Sequence, residues 1–280
     1  MAGNGASPGQ SVSSKLLAVL ECFALGRPAL TLTEIANASG LPLSTARRLV
    51  GELVAWGGLE RAPDQRYRVG IRLWQVGSLA PRQRVLSEAA LPFMQDLCEA
   101  TQENVQLAVL DRREALCIEK ISSRRAVPTA TQLGGRLPLH ATGVGKVLLA
   151  FSPRALLDEV AGNGLTACTP HTIIQPGRLA AALDAVREQG LGYSYQEMTL
   201  GAVSVAAPIL DAAGEVCGAL GIVTHSRATL RRLAPAVRAA ALGISRRLAT
   251  GLPSSGSRKC PAVPVPAHDD VRTGDGEGKE

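Results

Sequence analysis

Apolar positions along the chain change period several times, and each change marks an element. Leu16, Leu17, Leu20 and Phe23 or Ala24 recur three and four apart, which predicts a helix over Ser14 to Leu25, closed by Gly26, Arg27 and Pro28. In "LTLTEIANASGLPLSTARRLVGELVAWGGLERAPDQRYRVG", Thr33 is expected to cap a short helix over Glu34 to Ala38, and Gly40-Leu41-Pro42 turns the chain. Ser44 or Thr45 then opens a second helix reaching Trp56. Leu59 to Arg61 and Tyr67 to Val69 read as the strands of a hairpin with its turn at Pro63-Asp64-Gln65. Ile71 to Thr101 reads as largely helical, broken at Pro81 and amphipathic from Val85 through Leu86, Ala90, Phe93, Met94 and Leu97.

Beyond residue 101 strand and helix alternate. Asn104 to Leu110 and Ala115 to Ile121 form a hairpin across "DRRE", and "AVSVAAPIL" and "EVCGALGIV" form another across "DAAG". Helices are expected over Thr142 to Phe151, Pro153 to Val160, Gly177 to Gln189 and Arg227 to Ala249. Hairpin-joined strands with helices between and after them predict an α+β fold with a mainly antiparallel sheet.

Two short helices joined by a tight glycine turn form a helix-turn-helix. On the second, Ala46, Leu49, Val50 and Leu53 share the face that must be buried. Ser44, Arg48, Gly51 and Glu52 lie opposite, with Thr45 and Arg47 on the shoulders. That face is small, polar and cationic, as a helix in a major groove requires. Arg61, Arg66 and Arg68 gather on the hairpin, a wing that would contact phosphates. The candidate DNA-binding residues are Thr33, Ser44, Thr45, Arg47, Arg48, Arg61, Arg66 and Arg68. The competing reading of this segment is an amphipathic helix pair whose arginines only solvate a surface.

Composition narrows the classes. With 280 residues, 46% of them hydrophobic, the chain can bury two cores. A formal charge of +6 suits a polyanionic partner, and cations outnumber acids within 1–72. No apolar run is long enough to span a bilayer and no signal peptide is evident, so a cytoplasmic protein is expected. Cys22, Cys98, Cys117, Cys168, Cys217 and Cys260 form no CxxC pair, and the histidines do not recur at ligand spacing, so neither structural zinc nor a disulfide framework is expected. Residues 1–11 read as a disordered leader and 251–280 as a flexible tail, where His268, Asp269 and Asp270 read as a solvated cluster.

The glycine-rich "PLHATGVGKVLLA" invites a phosphate-loop reading, which fails at both ends. His140 stands where the first glycine of a Walker loop belongs, and Val147 stands where Ser or Thr should follow Lys146. A dinucleotide fingerprint fails at Leu148. What remains is Thr142 capping a helix whose first turn, with Gly143 and Gly145, offers backbone N–H groups to a small anion or polar ligand. Lys146 adds charge there or extends into water; His140 is a ligand contact or a hydrogen-bonded structural residue. No nucleophile elbow is present, "CTPHT" is too isolated to act as a Cys–His pair, and Glu197 has no carboxylate or histidine near it in sequence.

Over nearly all of residues 12 to 250 the chain resembles the IclR-type bacterial transcriptional regulators. The resemblance lies in "LTLTEIANASGLPLSTARRLVGELVAWGGLER", "GRLPLHATGVGKVLLA" and "VREQGLGYSYQEMTLGAVSVAAPILDAAGEVCGALGI". It implies a winged helix-turn-helix over 12–72, a linker helix over 73–91 involved in dimerisation, and a GAF-like effector domain over 92–250. It also implies a pseudo-palindromic double-stranded DNA operator, a small-molecule effector and a homodimer or homotetramer, with no catalytic residue, cofactor or metal. The implied effector residues are Leu133, Gly135, His140, Thr142, Gly143, Val144, Lys146, Glu197, Gly221 and Val223. Relatives that take small keto acids carry hydroxyl side chains where Gly221 and Val223 stand, and the segment Tyr193 to Gln196 is neutral. An apolar or aromatic carboxylate effector is therefore expected, walled mostly by aliphatic side chains because aromatics are 3% of the chain. The alternative from another class is a metabolite-processing enzyme with an accessory nucleic-acid module.

Overall fold

The computed structural model describes residues 11–24, 27–129, 131–225 and 227–250. The leader, apart from Ser11, and the tail with Cys260, His268, Asp269 and Asp270 lie outside the described residues, as do Leu25 and Gly26.

Helix α1 covers Val12–Glu21, starting earlier than the apolar period suggested because the Ser11 hydroxyl accepts the Ser14 N–H. Helix α2 covers Leu32–Ser39 and is capped by Thr31 rather than Thr33. The Thr31 hydroxyl accepts the Glu34 N–H while the Glu34 carboxylate accepts the Thr31 N–H, a reciprocal box that "TLTE" encodes. Gly40, at φ 66°, takes the left-handed conformation that ends α2. Helix α3 covers Leu43–Trp56 and buries Ala46, Leu49, Val50 and Leu53, the face expected from their spacing. Its N-cap is Pro42, and neither Ser44 nor Thr45 caps it. Strands β1 (Leu59–Arg61) and β2 (Tyr67–Val69) pair antiparallel with Glu60 opposite Arg68.

The stretch 73–91 is divided between two helices. α4 covers Ile71–Gly77 and α5 covers Pro81–Thr101, with Pro81 starting α5 where its missing N–H costs nothing. Six strands then form one antiparallel sheet in the order β5-β4-β3-β8-β7-β6. They are β3 Asn104–Asp111, β4 Glu114–Ile121, β5 Arg136–Pro138, β6 Gly192–Tyr195, β7 Val203–Leu210 and β8 Val216–Thr224. The α+β expectation holds, with both hairpins in their expected places.

The sheet has two faces of different texture. Val105, Leu107, Val203, Val205, Leu220 and Ile222 pack against α5 and α9 (Arg227–Ala249) in the larger core. Ala108, Ala206 and Ala219 face α6 (Gly143–Ala150), α7 (Arg154–Gly162) and α8 (Pro176–Gln189). The small residues on this second face let α6 sit close. A Cβ on Gly143 would lie 3.1 Å from the Gly192 carbonyl oxygen, and one on Gly221 would lie 2.8 Å from Val144 Cγ1. On Gly145 it would meet the Leu139 backbone at 2.7 Å. These glycines therefore serve helix packing.

Candidate functional site

The helix-turn-helix and its hairpin present one concave, polar surface. Thr33 of α2, Arg47 of α3 and Arg61 of β1 line it together with Leu43 and Gln65. Arg47 is exposed and no ion pair engages it among the described residues. The other arginines are tethered. Arg48 Nη1 lies 2.5 Å from Glu52, one helical turn on, and Arg66 lies 3.8 Å from Glu34. Arg68 lies 3.9 Å from Asp64, and the Arg61 guanidinium sits 5.9 Å from the centre of the Tyr67 ring. Ser44 is exposed beside them and Thr45 half-buried. These ion pairs are solvent-exposed and weak, so a phosphate can replace the carboxylate at little cost.

Apolar surface gathers on the other side of this half. Leu16 and Leu20 of α1, Leu53 and Trp56 of α3 and Leu73 of α4 line a groove. Helix α4 buries none of its residues, and Ile71, Trp74 and Val76 are exposed.

The second site is a small cavity of about 30 Å³ on the sheet beside the start of α6. Its floor is read from strand register. Asn104, Val223, Ser204 and Ser194 form one cross-strand row from β3 to β6, and Gln106, Gly221, Ala206 and Gly192 form the next. Gln106, Val223, Ser204 and Ser194 line the cavity, with Thr142 at the start of α6. Met198, Thr199 and Ala202 close it from the β6–β7 turn, and Thr129 and Thr131 from the strap between β4 and β5, described over 122–129 and 131–135. That strap is held down by Lys120, whose Nζ donates to Thr129 Oγ1 at 2.9 Å and to the Thr131 carbonyl at 2.6 Å. The Asn104 amide donates to the Val127 carbonyl at 2.6 Å.

Helix α6 begins at the cavity with most of its amides used. The Gly143 N–H donates to Ser204 Oγ and the Gly145 N–H to Thr142 Oγ1, while Thr142 Oγ1 donates to the Pro138 carbonyl. Lys146 does not extend into water. Its Nζ lies 2.6 and 2.8 Å from the Glu197 oxygens and also donates to the Tyr193 carbonyl at 3.0 Å. Both side chains are buried, and burial pulls the Lys146 ammonium below its ordinary pKa while Glu197 works in the opposite direction. Glu197, which has no partner nearby in sequence, has one 51 residues away.

Of the implied effector residues, Thr142 and Val223 line the cavity. Gly143 adjoins it through Ser204, and Gly221 pairs with Gln106 across the sheet but is covered by Val144 and is outside the lining. His140 is buried with its Nε2 3.0 Å from the Thr166 carbonyl, a structural bond. Leu133 is 65% exposed on the strap, and Gly135 ends that strap outside the lining. Hydroxyl-bearing residues from β6, β7, the β6–β7 turn and the strap outnumber the aliphatic ones in the lining, but the surface the walls present is mainly apolar. The signal for Gln106 was present in "ENVQLAVL", where polar Asn104 and Gln106 alternate with Val105 and Leu107 on a strand. The strap's threonines offered none.

Two family models match this chain: the IclR helix-turn-helix domain over residues 14–63 and the bacterial transcriptional regulator IclR C-terminal domain over 80–246. The chain belongs to the IclR family. Among its relatives, the HTH-type transcriptional regulator KipR of Bacillus subtilis is 31% identical over 239 residues, spanning 84% of this chain and 95% of that protein. The p-hydroxybenzoate hydroxylase transcriptional activator of Acinetobacter baylyi is 31% identical over 219 residues, covering 76% of this chain and 80% of its own. The crystal structure of an IclR homolog from Microbacterium hydrocarbonoxydans, complexed with 4-hydroxybenzoate, superposes with a TM-score of 0.80 at 33% identity, covering 86% of this chain and all of that one. As an IclR-family protein the chain is a DNA-binding, ligand-responsive transcriptional regulator. No helix among the described residues is long and apolar enough to cross a membrane.

Proposed function

We propose that this regulator binds a pseudo-palindromic operator as a homodimer or a pair of dimers, and releases or reshapes that complex when an aromatic carboxylate enters the cavity beside the start of α6. Ser44, Thr45, Arg47 and Arg48 approach base edges in the major groove. Thr33, Arg61, Arg66 and Arg68 hold the flanking phosphates. The untethered Arg47 in the concavity is the strongest base-reading candidate. A second copy of the chain covers the apolar groove between α1, α3 and α4, since a helix with no buried residue needs a partner. Such a protein works in the cytoplasm, beside its DNA. We read it as non-enzymatic, because no acid, His, Cys or Lys lines the cavity among the described residues.

The observation that carries the effector reading is the lining itself: hydroxyl and amide groups with no fixed charge, set at the positive end of α6. A carboxylate can be held there by neutral donors and the helix dipole. The 4-hydroxybenzoate bound by the Microbacterium homolog and the p-hydroxybenzoate system named for the Acinetobacter relative support the aromatic class. A cavity of about 30 Å³ holds roughly two waters, so the strap or the Met198–Ala202 turn must swing out to admit a ring.

The test pairs two measurements on the full chain. Thermal shift against benzoate and 4-hydroxybenzoate should raise the melting temperature with ligand concentration. Mobility shift on the DNA upstream of its own gene should show specific binding that the same ligands change. An Arg47→Ala/Arg48→Ala variant should lose about 1–3 kcal/mol per base contact and discriminate less between operator and random DNA. Undiminished binding by that variant removes α3 as the recognition helix.

A further inference from the structure

Among the described residues that line the cavity, Gln106 carries the one amide side chain. Its side chain is 3% exposed and its amide makes no hydrogen bond to any described residue. Its neighbours explain why. Across β4 it faces Lys120, whose ammonium is turned to Thr129 and Thr131 on the strap. Across β8 it faces Gly221, which has no side chain to offer. The amide is not sealed in the core but opens onto the cavity, so a ligand there can supply the hydrogen bonds that no described residue makes. Leucine fits the same alternation if packing is the only requirement.

We propose that Gln106 is the specificity-determining residue of the cavity, reading a hydrogen-bonding substituent on the ring edge opposite the effector's carboxylate. The carboxylate end is placed by the Ser204 hydroxyl, whose proton is taken by no acceptor among the described residues, at the start of α6; the Thr142 hydroxyl proton already goes to the Pro138 carbonyl. Gln106 lies on β3, two strands from Ser204 on β7, so the two positions are about 10 Å apart across the sheet. That separation suits a ring bearing its polar groups at opposite ends, with a hydrogen bond at each. The amide offers both a donor and an acceptor, so it takes a neutral phenolic hydroxyl in either orientation. The Thr131 hydroxyl, buried beside it on the cavity wall and without a side-chain partner among the described residues, can complete the shell. This inference rests on the aromatic-carboxylate reading of the cavity and adds to it the choice among such acids.

Calorimetric titration of the full-length protein with 4-hydroxybenzoate and with benzoate tests it. The wild type should prefer the hydroxylated acid by about tenfold or more, the worth of one good buried hydrogen bond. Gln106→Leu should bind benzoate at least as well as the wild type and hold the two acids equal within about twofold, with an unliganded melting temperature unchanged or raised. Gln106→Met, which keeps the length of the side chain, is read the same way if leucine disturbs folding. A preference that survives in both variants, or a marked loss of unliganded stability in both, overturns the assignment of Gln106. Equal binding of both acids to the wild type overturns it as well and leaves the aromatic-carboxylate reading standing. Binding of neither acid to the wild type overturns both.

Discussion

Replacing Lys146 by methionine isolates the energetics of the buried ion pair. The substitution keeps most of the side chain's volume and removes the charge, leaving the Glu197 carboxylate with the Tyr195 N–H at 3.3 Å as its remaining close donor. Both partners are at most 5% exposed, so neither can recover solvation without opening α6 from the β6–β7 turn. Breaking one side of such a pair costs about 3–5 kcal/mol. For a folding unit of this size that lowers the melting temperature by roughly 10 °C. Replacing both partners, Lys146→Met with Glu197→Leu, removes the stranded charge and should recover most of the stability. Urea unfolding of the wild type, both single variants and the double variant gives the coupling, expected at about 2 kcal/mol or more. Single losses below about 1 kcal/mol, or a double variant equal to the sum of the singles, refute the claim that the two charges compensate each other in a dry interior.

Two further outcomes follow from the caps and the thiols. Thr31→Ala should cost the helix-turn-helix about 1 kcal/mol, whereas Thr33→Ala should leave it within about 0.5 kcal/mol, as melts followed by circular dichroism would resolve. The Thr31 N–H and hydroxyl, helped by Arg66 and Arg27, hold the Glu34 carboxyl below its ordinary 4.5. Its contribution is therefore present above that pH and lost as pH falls through the lowered value, and Glu34→Gln should erase this acid-side decline. Burial pushes the Cys117 and Cys217 thiols up to about 11, so at pH 8 about one in a thousand is a thiolate. The exposed Cys168 should be alkylated by iodoacetamide well before either in mass-spectrometric mapping, and equal rates would contradict the burial of Cys117.

Local signals carried far along this chain. The helical spacing of Ala46, Leu49, Val50 and Leu53 gave the buried face of α3, and the strands of the wing begin and end where their alternation does. The capping of α2 was legible too, but the Glu three residues after Thr31 was the better guide than the threonine nearest the apolar run. The cavity was far less readable, because it is built by register between segments distant in sequence. Ser194, Ser204 and Val223 meet only after β6, β7 and β8 pair, and Lys146 meets Glu197 only once α6 lies on the sheet. The glycines of "GVGK" carried a false hint of ligand approach. Two of the three first-turn amides are satisfied by Ser204 and Thr142, and the missing side chains make room for backbone and for Val144.

That close packing divides the cavity into a side that cannot drift and a side that can. Gly143, Gly192 and Gly221 lie where an added methyl would strike α6 or the strand beneath it, so almost any replacement there damages the fold before it reaches the ligand. The strap threonines and the Met198–Ala202 turn close the cavity from loops instead of from packed strands and helices. A lineage carrying this fold can therefore change what it senses by altering a few loop residues and the single amide at position 106. The frame that connects sensing to DNA stays intact while the chemical vocabulary changes.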